Sequence, residues 1–348
     1  MKKSQFVYAA ALAIMGTAAS AAETIELNMA TPFGGGHWYD VGIKGYAETV
    51  EKITNGRVKI NVFPAGALGP ALKVAETVKL GIAEAGYGWG GYDWAIDRTG
   101  ALFGSWPGGP NPEEYMMWMV NGNGADLLAE WRLEKFDIVS VPCGVTETEI
   151  FMHAHKPVRT VEDLDGLKLR TSSAWAEIAP KLGVSTVVLP GSEVFSALER
   201  KVVDAVEWGG PGGNVREGFD SIAPYVMLPG VHSRGAMMDC VFNKDAWAEI
   251  PESDQELLKL AGQWMLQTTY LAYADLDLKA YETLKSEGKA EIIIVEDSLI
   301  EAVAEASAEW AEEQAAENEW FARVYADQKA FLASLSGLTE FRFTPGDH

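Results

Sequence analysis

Cysteine is scarce here: Cys143 and Cys240 are the only two in 348 residues. That excludes a scaffold stapled by disulfides, and the lack of further ligands at short spacing excludes a structural zinc site. Basic residues are also few, 28 Lys and Arg against 50 Asp and Glu, for a formal net charge of −22. So acidic a chain argues against nucleic acid and against anionic membrane surfaces as partners. There is no Gly-x-Ser-x-Gly elbow and no nucleophilic Cys–His context. Gly34-Gly35-Gly36 is followed by His37 and Trp38, not by the Lys-Ser/Thr of a phosphate loop. Beyond the first residues there is no transmembrane run, no tandem repeat and no low-complexity linker.

What is present begins with an export leader. Lys2 and Lys3 precede an apolar stretch, Phe6 to Met15, and small residues at Ala19 to Ala22 offer cleavage sites. The apolar stretch is too short to span a bilayer, and no cysteine lies near the cleavage site to take a lipid. Removing residues 1–22 takes away two positive charges and no negative ones, so the mature chain is more acidic still. It is long for one core and natural for two lobes.

The mature chain alternates strands and helices. Ile25, Leu27 and Met29 alternate as a strand, and a helix follows with Val41, Tyr46, Ala47, Val50 and Ile53 on one face, stopped by Asn55-Gly56. Val58–Phe63, a helix over Leu72–Leu80 and a strand over Ile82–Tyr87 complete a β-α-β-α-β order, which predicts a parallel sheet covered by helices. A second set runs from Ile138 to Trp208. After Pro251, up to Glu287, there is no further proline and one glycine, so a single long helix is expected. Leu299–Leu335 reads as an acidic amphipathic helix or helix pair.

Two strand ends carry the candidate chemistry. Leu167-Lys168-Leu169-Arg170 and Val203–Trp208 are short apolar strands closing on Arg170 and on Glu207-Trp208-Gly209-Gly210. Ligands of open α/β sheets bind outside the carboxyl ends of the strands, and a guanidinium there can hold a carboxylate with two parallel hydrogen bonds. With the overall field repelling anions, such a local cation matters more. The aromatic, glycine-rich segment Tyr87–Trp94 could line the cleft from the other lobe, with Trp89 and Tyr92 preferred; His37 and Trp38 have a weaker claim. Asn214 could donate to a substrate oxygen or simply form a turn. His153 and His155 alternate on a strand without a third ligand and are read as solvent-facing residues. For the cysteines, buried free thiols are favoured over a bridge.

The order and spacing of several segments resemble the periplasmic solute-binding subunits of tripartite ATP-independent (TRAP) transporters, the DctP-type family. The segments are Glu51–Val58 with Phe63–Gly69, Leu164–Arg170, Leu182–Pro190, Glu193–Arg200 and Val202–Asp204, so the resemblance covers nearly the whole mature chain. It implies a two-lobed α/β binding-protein fold, each lobe a mixed, mostly parallel sheet flanked by helices. Lobe I would comprise 23–144 plus 234–252 and lobe II 145–233 plus 290–348, with 253–289 an interdomain helix. It further implies a periplasmic receptor, not an enzyme, that closes on a small organic acid and delivers it to a small and a large membrane subunit.

Within that family, Glu207-Trp208-Gly209-Gly210 is most similar to the subgroup binding 2-oxo or 2-hydroxy monocarboxylates together with a cation. The resemblance makes Arg170 the carboxylate clamp and Glu207 and Trp208 contributors to the cation site. A glutamine of that site falls on Glu149 and a further glutamate near Ser233, so two positions depart from the pattern. Oxygen ligands would suit Na⁺ or Ca²⁺; alternatively Glu149 touches a cationic or hydroxylated substrate group and no metal is bound. An exported enzyme acting on small carboxylates, an ABC-type or sensor-linked receptor, and receptors for a dicarboxylate, sulfonate or aromatic acid remain alternatives. Arg234 is the only nearby candidate for a dicarboxylate's second clamp. The C-terminal helices might support a homodimer or cover the lobes.

Overall fold

The computed structural model describes residues 24–287 and 290–338. The leader read at 1–22 lies outside them. Two sheets organise the chain. The first has the order β2-β1-β3-β10-β4, built from β1 (Ile25–Ala30), β2 (Val58–Phe63), β3 (Ala85–Trp89), β4 (Ile138–Val145) and β10 (Met237–Asn243). The second has the order β11-β9-β5-β8-β6-β7. Its members are β5 (Met152–Ala154), β6 (Lys168–Arg170), β7 (Ser185–Val187), β8 (Ala205–Val206), β9 (Tyr225–Leu228) and β11 (Glu291–Ile294). In each sheet one strand, β10 or β5, runs antiparallel to both of its neighbours and the rest are parallel. This is the two-lobed α/β architecture expected.

Local chemistry explains the elements. Helix α1 (Lys44–Ile53) buries Tyr46, Ala47 and Val50, a spacing that puts all three on one face. It stops where Asn55 and Gly56 take positive φ. The short helix α2 (Pro211–Glu217) starts with proline at its first turn, where no N–H is missed. Helix α3 (Glu252–Glu287) has 36 residues, roughly 54 Å at 1.5 Å per residue. It packs on β4 and α1 in the first lobe and on α2 and β11 in the second, bracing both. The acidic C-terminal stretch is a pair, α4 (Asp297–Glu317) and α5 (Glu319–Ser334), with Asn318 capping the second. Helix α4 packs on second-lobe elements around Trp175–Leu182. Helix α5 packs on the first-lobe helices Thr99–Gly104 and Gly124–Phe136. Assigning all of 290–348 to lobe II therefore misplaces α5, whose buried Phe321, Val324 and Tyr325 cover the other lobe.

Two other expectations are corrected. Cys143 and Cys240 are bonded to each other, with Cα atoms 5.7 Å apart. Their strands β4 and β10 are adjacent in one sheet, so the bridge staples lobe I and does not tie the lobes together. His153 does not face solvent. It sits on β5, the third strand in a sheet covered on both faces, fully buried against the ring of Phe219. Burial pushes its pKa down to about 4. His155 is partly buried and its Nε2 lies 2.9 Å from the Leu198 carbonyl.

Candidate ligand-binding site

Strands β6 and β8 are parallel neighbours with Arg170 opposite Val206. Their carboxyl ends therefore bring Arg170 and Glu207 side by side. Arg170 is 2% exposed. Its Nε and Nη2 donate to the Leu189 carbonyl at 3.3 and 2.9 Å. Its Nη1 donates to the Glu207 carbonyl at 3.0 Å and to Glu207 Oε1 at 3.3 Å. The guanidinium carbon lies 5.2 Å from the centre of the Trp208 ring, a cation–π distance.

Arg170 lines a cavity together with Glu149, Glu207, Trp208, Trp89 and Tyr92. The space between the walls is about 350 Å³. That is the small end of ligand pockets. Trp89 and Tyr92 meet edge to face at 4.6 Å. On another wall Trp38 stacks obliquely between Phe33 at 4.9 Å and Trp208 at 5.4 Å. The indole Nε1–H of Trp89 is buried with no partner among the described residues. Buried donors are ordinarily paired, so one left unpaired in a cavity wall suits an oxygen-bearing ligand.

The first crossover segment, after β4, carries Glu149, and the return segment before β10 carries His232 and Ser233. Glu149 Oε2 lies 3.0 Å from His232 Nε2, and Glu149 Oε1 accepts from Ser233 Oγ at 2.9 Å. The same His232 nitrogen is 3.6 Å from Glu207 Oε2. Gly230 allows this approach: a β-carbon there would lie 1.9 Å from the Glu149 carbonyl oxygen. Burial and the nearby Glu207 push Glu149 up to about 7, against the His232 hydrogen bond. Burial works against a charged His232, yet its bonds to Glu149 and Glu207 overcome this and raise it to about 9. Glu207 is held below its ordinary value, because His232 and Arg170 outweigh its burial.

A second acidic cluster lies nearby. Glu147 Oε1 is 3.0 Å from His37 Nε2 and accepts from Gly210 N at 3.2 Å; Asp277 on α3 accepts from Gly212 N at 2.7 Å. Gly210 is needed here, since a β-carbon would lie 2.4 Å from Glu147 Cγ. Asn214 does not line the cavity. Its Oδ1 accepts from Gly209 N at 3.0 Å and so holds the turn after Trp208. Arg234 also points elsewhere, to Glu114 at 3.5 Å and to the Gly109 carbonyl. Sequence reasoning missed Phe33, Met238 and His232. Phe33 sits in the loop after β1, where a strand-end argument could have found it; Met238 is reached only through its pairing with Trp89 across β10 and β3. No periodic signal marks His232.

These features define a binding protein with a small, aromatic, partly charged cavity between two lobes. Residues 36–318 match the family of bacterial extracellular solute-binding proteins, family 7 (DctP), and the chain belongs to it. It is 31% identical over 291 residues to a monocarboxylate 2-oxoacid-binding periplasmic protein of Nostoc sp., covering 84% of this chain and 79% of that one. Among solved structures it is similar to a TRAP periplasmic solute-binding protein from Pseudoalteromonas atlantica with bound sodium and pyruvate. The TM-score is 0.83 and the identity 27%, over 92% of this chain and 97% of that one. A counterpart from Colwellia psychrerythraea with bound calcium and pyruvate gives a TM-score of 0.84 and 26% identity, over 91% and 97%.

Proposed function

We propose that this chain is the periplasmic receptor of a TRAP transporter for a small 2-oxo monocarboxylate such as pyruvate, which it hands intact to a small and a large membrane subunit. The observation that carries the reading is that Arg170 is the only cationic side chain on the cavity wall among the described residues. Its cavity side offers a single positive charge to an entering carboxylate, beside the Glu207 that it already holds. A dicarboxylate would set its second acid against Glu149 and Glu207, and Arg234 is turned away. The tight cavity argues against aromatic acids. The Nostoc relative and the pyruvate-bound structures point the same way.

In this reading the ligand's acid takes donors of Arg170 while its apolar end lies between Trp208 and the Trp89–Tyr92 pair. Contacts from both lobes exist only when the lobes are together, so ligand shifts the population toward that state. Thermal-shift and calorimetric screening of pyruvate, 2-oxobutyrate, lactate, succinate and a sulfonate tests this. Pyruvate and 2-oxobutyrate are expected to stabilise and succinate not. Consumption of pyruvate by the protein alone would favour an enzyme instead. A second copy of the chain is a further proposed partner: Leu260, Trp264, Leu271 and Leu278 are exposed on α3 at spacings that form one apolar stripe. Sedimentation equilibrium, with Trp264→Glu as control, checks it; a monomer at every concentration would refute it.

A further inference from the structure

The two solved relatives hold sodium or calcium with pyruvate, and the question is whether this chain's residues fit such an ion. Calcium takes six to eight oxygen ligands, and hard cations take imidazole poorly. The acids in reach here are Glu149 and Glu207, and His232 joins them with all three ligand atoms within 4.8 Å of one another. Three of the four carboxylate oxygens already accept from protein donors. Ser233 Oγ and His232 Nε2 serve Glu149 and Arg170 Nη1 serves Glu207 Oε1, while Glu207 Oε2 lies 3.6 Å from His232 Nε2. Ser233 is itself fixed by Ser105 Oγ at 2.6 Å. A hydroxyl and an imidazole thus stand where an oxygen-only cation site would need further acid, and the set does not fit sodium or calcium.

We infer that this receptor binds its carboxylate without a metal ion, the imidazole of His232 and the hydroxyl of Ser233 occupying the Glu149 oxygens that a cation would need. The ring of Phe151 lies 5.7 Å from the His232 ring and helps to fix it there. The inference rests on the carboxylate-receptor reading above and adds that no ion accompanies the acid.

The test is calorimetry on chelator-treated protein in sodium-free potassium buffer. Calcium titrated alone is expected to give no saturable binding. Pyruvate affinity is expected to change by no more than about twofold on adding calcium or sodium. His232→Gln, which keeps a donor beside Glu149, is expected to leave pyruvate binding insensitive to calcium and sodium, within about twofold. The pair Glu149→Gln with Ser233→Glu, which restores the amide and acid implied by the family resemblance, is expected to make pyruvate binding respond to calcium. Saturable calcium binding by the unsubstituted protein, or a tenfold or greater gain (about 1.4 kcal/mol) in pyruvate affinity with either ion, would overturn the inference. If pyruvate and its analogues fail in every buffer, it is the substrate reading that falls; the calcium titration still decides this one.

Discussion

Two arginines, Arg132 and Arg170, are almost wholly buried, at 0% and 2% exposure, and their surroundings differ. Arg132 is closed on every side. Its Nε and Nη2 fork onto Asp239 at 2.8 and 3.0 Å, its Nη1 reaches Asp93 at 2.6 Å, and Trp131 lies against its face. Arg170 has one carboxylate partner and two backbone carbonyls on one side and a cavity on the other. The first arrangement is a brace. It pins Asp93 beside Tyr92 and Asp239 beside Met238, so it holds up the cavity's wall from behind. The second leaves a guanidinium whose surroundings change when something enters. Burial alone therefore does not separate structural from ligand-facing charge; what does is whether a cavity borders the group.

Breaking the brace should have the larger effect on stability. Arg132→Met strands two buried carboxylates and is expected to cost about 3–5 kcal/mol, read as a lower urea midpoint. A loss under about 1 kcal/mol would mean that water or rearrangement satisfies Asp93 and Asp239, and the contrast with Arg170 would dissolve. For Arg170 the pattern should invert. Arg170→Ala leaves Glu207 with His232 still near, so the stability cost is expected at about 1–3 kcal/mol. Pyruvate affinity, in contrast, should fall by about 100-fold or more. Arg170→Lys keeps the charge without the fork and should bind at an intermediate level. Equal affinity in the alanine variant would remove Arg170 from the site.

This contrast was half legible in the sequence. Arg170 and Glu207 stand out because each ends a short apolar strand, and parallel strands place such ends together. The alternation of strands and helices, and the proline-free run that becomes α3, were legible for the same reason: they are local patterns. Arg132 was not, because its acids lie 39 and 107 positions away and no spacing announces them. Strand β10 enters the first sheet between β3 and β4 from far along the chain, which is also why the Cys143–Cys240 pairing and Met238's place in the cavity stayed hidden. His232 lies in a glycine- and proline-containing crossover, where side-chain direction follows from tertiary packing alone. Asn214 shows the reverse error: a polar residue near a strand end that serves the backbone.

A third charge, the half-buried Asp277, sharpens the comparison, because it has no cation of its own among the described residues. Asp277 on α3 accepts from Gly212 N and faces Glu147, whose own partner is His37. Burial and the Glu147 charge push Asp277 up to about 8. A carboxyl raised in this way favours the folded state fully only below its ordinary value near 4, and that contribution is lost as pH rises through about 8. Asp277→Asn keeps an acceptor for Gly212 and removes the charge. It should change stability little at pH 4 and raise it by about 1–3 kcal/mol at pH 8, measured by urea unfolding at both values. A gain that does not depend on pH would show that the effect lies in packing at Gly210–Gly212, and the distinction between paired and unpaired buried charge would then rest on the two arginines alone.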